Sequence, residues 1–138
     1  MYCTLADLLA RFHPDDLLAL ADDDQDGVAD SSVLEDALSE AAAEMDLFLG
    51  VRYALPLPDP PPAVLRPLAV ALAAHRLYLR RRQALSPIHA ADYARAVETL
   101  AAVSRGELAL VGVPSRRRAA ATRAADEKRI SSDVLDQF

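Results

Sequence analysis

Residues 22–30 read DDDQDGVAD, the one stretch of the chain whose residue types and spacing suit metal chemistry. Asp22, Asp24 and Asp26 alternate ahead of Gly27, and Asp30 follows. This is the order in which a helix–loop–helix calcium loop presents its first, third, fifth and ninth ligands, with a glycine at the sixth position. Such a loop also needs a bidentate carboxylate at its twelfth position, and that position is Val33. Losing it removes two oxygens and one charge from a site that wants six to eight oxygens. The plainer reading is a turn: Gly27 supplies a positive φ, and the aspartates stay solvent-facing or await a cation or basic neighbour. Calcium remains an alternative use of Asp22, Asp24, Asp26 and Asp30, and no other cofactor is expected.

Nothing else points to catalysis. His13, His75 and His89 have no metal-like spacing to one another or to Cys3. His75 lies on an apolar helix face and is expected as a hydrogen-bonded core histidine. No nucleophile elbow or phosphate-binding glycine loop occurs. The expectation is a protein that is not an enzyme. Basic residues gather at Arg76, Arg80, Arg81 and Arg82, and again at Arg116, Arg117 and Arg118. No aromatic residues interleave with them, which speaks against stacking on single-stranded nucleic acid. A DNA-binding regulator is the weaker alternative. These arginines suit a helix end or a partner surface better.

The elements that must position these groups are helical. The chain has 138 residues, 52% of them hydrophobic, with no tryptophan. Much of the apolar content is alanine, which favours thin, closely packed helices, and no run is long enough to span a membrane. Nothing at the N-terminus resembles a secretory signal, and the single Cys3 cannot form an internal disulfide. Thr4 caps a short helix through LADLLARF, and Pro14 opens a second through DDLLALA. Ser32 and Glu35 form a capping box for a third helix ending near Gly50. Its stripe is Val33, Leu34, Ala37, Leu38, Ala41, Met45, Phe48 and Leu49. VRYALPLPDPPP contains five prolines and reads as a packed, extended connector. A fourth helix from about Ala63 to Gln83 buries Leu65, Leu68, Leu72, His75 and Leu79. A fifth opens at Ser86-Pro87 and stops at Gly106. The fold class is therefore all-α, a small bundle over residues 1–110. Residues 111–138 form a C-terminal arm whose late apolar cluster, Ile130, Val134, Leu135 and Phe138, orders against a partner.

Charge is uneven along the chain. Residues 1–50 hold 13 acids and one arginine, whereas residues 51–138 hold 14 basic residues and 8 acids. A subunit that is −12 in one part and +6 in the other suits head-to-tail contact between copies.

Several stretches occur in a fixed order: Y-x-T-L-A-D-L-x-x-R-F from Tyr2, the Asp-rich turn, and D-L-F-L-G-V-R-Y followed by P-L-P-x-x-P-P. Then come R-x-Y-L from Arg76 and a terminal R-I-S-S-D-V-L-D-Q-F. In this order the chain resembles the small head–tail joining proteins (connectors, or head-completion adaptors) of Mu-like phages and prophages. The resemblance implies a non-enzymatic helical adaptor with an extended C-terminal arm. It implies a virion protein, cytoplasmic in the host before assembly, that forms a ring of twelve copies beneath the portal. The portal and a tail-side stopper or completion protein would be its partners, with DNA passing through the channel and no membrane involved. The residues expected at contacts are Arg80, Arg81, Arg82, Arg116, Arg117 and Arg118, with Ile130, Val134, Leu135 and Phe138.

Overall fold

The computed structural model describes residues 1–116. Five helices follow one another: α1 (Leu5–Leu9), α2 (Pro14–Ala21), α3 (Ser31–Leu49), α4 (Leu65–Arg80) and α5 (Pro87–Arg105). Among the described residues there is no strand, and the fold is an all-α bundle.

Local chemistry sets most of the boundaries. Thr4 and Asp7 form a reciprocal capping box: the Thr4 hydroxyl accepts from the Asp7 N–H, and the Asp7 carboxylate accepts from the Thr4 N–H at 2.8 Å. Before Pro14, His13 caps α2, its Nδ1 accepting from the Asp15 N–H. Ser86 caps α5 ahead of Pro87. Gly106 ends α5 in the left-handed conformation, φ 81°, with the Arg52 guanidinium lying where a β-carbon would stand.

Three helices differ at their ends from the sequence reading, and the first of these, α1, stops at Leu9 rather than running through LADLLARF to Phe12. The Ser32–Glu35 capping box does not form. Helix α3 begins two residues earlier, with Asp30 in the N-cap position and no side-chain cap. The Asp30 carboxylate instead accepts from the Asp23 N–H at 2.9 Å, and the Asp30 N–H donates to the Ala21 carbonyl. Closing the turn thus fixes where α3 starts. Helix α4 is also shorter than expected. It ends because Arg82, not a glycine, takes the left-handed position at φ 54°. The Arg82 and Gln83 N–H groups then close on the Leu79 and Tyr78 carbonyls.

Helix α4 is central. Ala69 to Ala74 are six consecutive buried residues, which a helix achieves only when neighbours cover it all round. From α3, the stripe Leu34, Ala37, Leu38, Ala41, Met45 and Leu49 packs inward, with Val33 and Phe48 half-buried beside it. From α5 come Ala96, Leu100 and Val103. Alanines on α3 and α4 let the axes approach closely, and each fully buried leucine contributes about 1.5–3 kcal/mol. Leu79 is 56% exposed rather than buried, because it borders an open groove between α3 and α4.

The proline-rich connector is packed, as expected. Tyr53 is buried, and Leu55 and Leu57 lie against the core. Its hydroxyl accepts from the Leu110 N–H at 2.8 Å. The segment after Gly106 returns along this connector: Tyr53 and Ser115 form an isolated antiparallel bridge, and the Arg116 N–H donates to the Arg52 carbonyl at 2.7 Å. Residues 111–116 of the expected arm therefore lie on the body.

Candidate functional site

The acidic turn joins α2 to α3. It brings one carboxylate oxygen each from Asp22, Asp24, Asp26 and Asp30 within 4.8 Å of one another. Backbone donors already use much of this oxygen. Asp22 accepts from the N–H groups of Gly27 (3.0 Å) and Asp26 (3.2 Å), and Asp26 accepts from Val28 (2.9 Å). Gly27 has φ 85°, the left-handed value the turn requires. A hydrogen bond between the Asp22 and Asp24 carboxyls raises Asp24 above the usual carboxylate range. Desolvation opposes the charge on Asp22, but the N–H donors outweigh it and hold Asp22 low. Val33 is half-buried at the twelfth position and offers no side-chain oxygen.

The one aspartate of the turn that fits no calcium position is the one that the arginines of α4 grip. Asp23 receives hydrogen bonds from both Arg80 and Arg81, the latter at 2.6 Å. Arg80 and Arg81 also reach the Leu20 carbonyl at 3.4 and 3.3 Å, and Arg81 reaches the Asp22 carbonyl at 3.2 Å. The end of α4 thus caps the C-terminal carbonyls of α2 and grips its neighbouring carboxylate. The Arg80 hydrogen bond is the main cause of an Asp23 carboxyl below its ordinary range, with the two guanidinium charges adding to it against desolvation.

The same pairing recurs across the molecule. Arg76 on α4 meets Glu44 (2.9 Å) and Glu40 (3.8 Å) on α3, Arg66 faces Asp7, and Arg11 pairs with Asp92 on α5. The acidic and basic parts of the sequence largely meet inside one subunit. Residues 1–116 nonetheless hold 17 acids against 10 arginines, so the body keeps a net charge of −7.

Among the expected contact residues, Arg82 is exposed and its guanidinium has no partner among the described residues. Arg116 is exposed at the end of the described chain. Arg117, Arg118, Ile130, Val134, Leu135 and Phe138 lie outside the described residues. A groove of about 370 Å³ between α3 and α4 has Val33, Ala37, Leu77 and Leu79 in its lining. Its rim arginines, Arg76 and Arg80, are already paired.

Two ring clusters went unread in the sequence. His75 stacks on Tyr93 with centroids 3.8 Å apart, and its Nδ1 is buried without a hydrogen-bond partner, contrary to the expected bonded histidine. His89 stacks on Phe12 at 4.7 Å beside Tyr78. No helix among the described residues is long and apolar enough to cross a membrane.

These features define a small all-α domain whose acidic turn is clamped by arginines of its central helix. The family described as "Bacteriophage Mu, Gp36" matches residues 2–130. The chain belongs to that family and is a Mu-like phage protein. No curated protein matches it.

Proposed function

We propose that this protein is a head–tail connector: a non-enzymatic adaptor that forms a ring under the portal and links the DNA-filled capsid to the tail. The observation that carries this reading is membership of a phage Mu family over nearly the whole chain. The architecture supports it. A helical body of net charge −7 leads into a basic stretch, Arg116 to Arg118, at a point where Ser115 and Arg116 are anchored to Tyr53 and Arg52. A subunit with an acidic body and a cluster of arginines where the chain leaves it is built for heterologous contact, in which each copy gives one surface and receives another.

Arg82 adds to this. A non-glycine residue in the left-handed region is strained, and strain retained at an exposed charged residue is a mark of contact function. The net negative body disfavours the DNA-regulator alternative and suits a channel along which DNA slides.

The test is complementation in a phage lacking the gene. The full chain restores joined particles. A chain ending at Arg116, which keeps the anchor to Arg52, folds but leaves DNA-filled heads without tails. Joined particles from the truncated chain, or heads that never fill, overturn the reading.

The convergence of four carboxylates favours a second reading, in which the turn takes calcium. Without a twelfth-position carboxylate the affinity falls toward the millimolar range. Calorimetry with calcium decides: heat that Asp24→Asn and Asp26→Asn remove supports the site, and no heat at millimolar calcium sinks it.

A further inference from the structure

Helix α5 is held along its length by two kinds of contact. Its C-terminal half buries Ala96, Leu100 and Val103 in the core. Its N-terminal half, from Pro87 to Arg95, contains no fully buried residue. That half is fastened by two ring stacks and an ion pair. His89 stacks on Phe12, which follows α1, at 4.7 Å and 24°, with Tyr78 of α4 at 5.5 Å. Tyr93 stacks on His75 of α4 at 3.8 Å and 13°. Asp92 pairs with Arg11. Each stack therefore contains one histidine, and the two histidines sit on opposite sides of the α4–α5 junction.

We propose that the N-terminal half of α5, with the connection from residue 84 to residue 86, is a flap that closes when His75 and His89 are neutral, so that mild acid opens it while the C-terminal half stays docked. The geometry carries this. The buried Nδ1 of His75 faces no acceptor, so a proton added there has no hydrogen bond to enter. Removing the stacks leaves this half of the helix with little apolar area to hold it.

The groups around each ring give the sign. Facing His75 are Glu44 of α3, Arg76 of α4 and Tyr93 of α5; facing His89 are Asp92 of α5, Arg11, Asp16 of α2, Phe12 and Tyr78. Burial is the largest influence on both imidazoles and pushes them down. The carboxylates pull upward and the arginines push downward, and both histidines settle below their ordinary value. A histidine so lowered binds its proton more readily in the open state. The closed flap is fully stable above the open-state value of about 6.5, and loses stability as pH falls from there through the closed-state value. At about pH 5.5, each histidine raises the open population by up to about 11-fold.

Amide hydrogen exchange on the full chain tests this, with protection referenced to intrinsic rates at about pH 7.5 and about pH 5.5. Residues 88–96 are expected to lose protection at the lower pH, while residues 97–105 change by less than about twofold. The double variant His75→Phe/His89→Phe keeps the ring stacks without the titration and is expected to abolish the loss. Equal loss along all of α5, no loss, or the same loss in the double variant overturns the proposal. Should the double variant fail to fold, the imidazole C2 protons of the unaltered chain decide. Both titrating below about 6.5, in step with exchange, supports the flap, and either titrating at or above that value overturns it.

Discussion

Replacing Tyr53 by Phe removes one oxygen and tests how the chain is held just before its basic stretch. The hydroxyl accepts a 2.8 Å hydrogen bond from the Leu110 N–H, and both residues are buried, at 2% and 6% exposure. Phenylalanine keeps the ring, so the packing loss is small. The Leu110 N–H is then left unpaired where water cannot reach it, at a cost of about 1–3 kcal/mol. Taking about 2 kcal/mol, the thermal midpoint of a domain this size falls by about 6–10 °C. Circular dichroism reads the midpoint, and amide exchange at Leu110 reads the bond. The amide loses protection in either case, and the midpoint separates global loss from local fraying of residues 106–116, since only global loss lowers it. An unchanged midpoint together with an unchanged Leu110 amide refutes the claim that this bond anchors the return segment.

Leu72→Ala, at a fully buried position of central α4, is expected to cost about 2.7–5 kcal/mol by urea unfolding, with the slope unchanged. Arg82→Gly relieves the left-handed strain and is expected to stabilise by about 1 kcal/mol while weakening head–tail joining in complementation; a destabilised variant contradicts the strain argument. Gly106→Ala should destabilise by about 1 kcal/mol or more, through its φ of 81° and the collision with the Arg52 guanidinium. The Asp23 carboxyl, followed by NMR, should titrate below the ordinary range and move upward in Arg80→Gln/Arg81→Gln. Its ion pairing therefore supports the fold above the unfolded carboxylate value of about 3.9, and that support fades as pH falls through the folded value.

Local signals were legible in the sequence wherever the deciding groups lie within a turn of one another. Thr4 with Asp7, Pro14, Ser86 with Pro87, and Gly106 all mark helix ends that the structure keeps. The α3 stripe was legible for the same reason: its period is a property of one helix. The failures are long-range. Asp30 caps no helix because the Asp23 N–H draws its carboxylate, and Ser32 loses its role to that closure. No periodicity could place Arg80 and Arg81 on a carboxylate 57 and 58 residues away. His75 was read from its helix face alone, and its stacking partner Tyr93 lies on another helix.

The arginine clamp also changes what the uneven charge of the sequence means. Read linearly, an acidic front and a basic rear suggest that one copy's front meets the next copy's rear. In the fold, Arg11, Arg66, Arg76, Arg80 and Arg81 are largely consumed by acids of their own subunit. A contact between copies must draw on what remains. On the acidic side these are exposed carboxylates such as Asp24 and Asp26. On the basic side they include Arg82 and the stretch that begins at Arg116, whose backbone N–H is fixed to Arg52. Substituting Arg80 or Arg81 would therefore loosen the acidic turn first. Arg82 and Arg116 are the positions at which removing a charge can report on assembly without disturbing an ion pair of the described body.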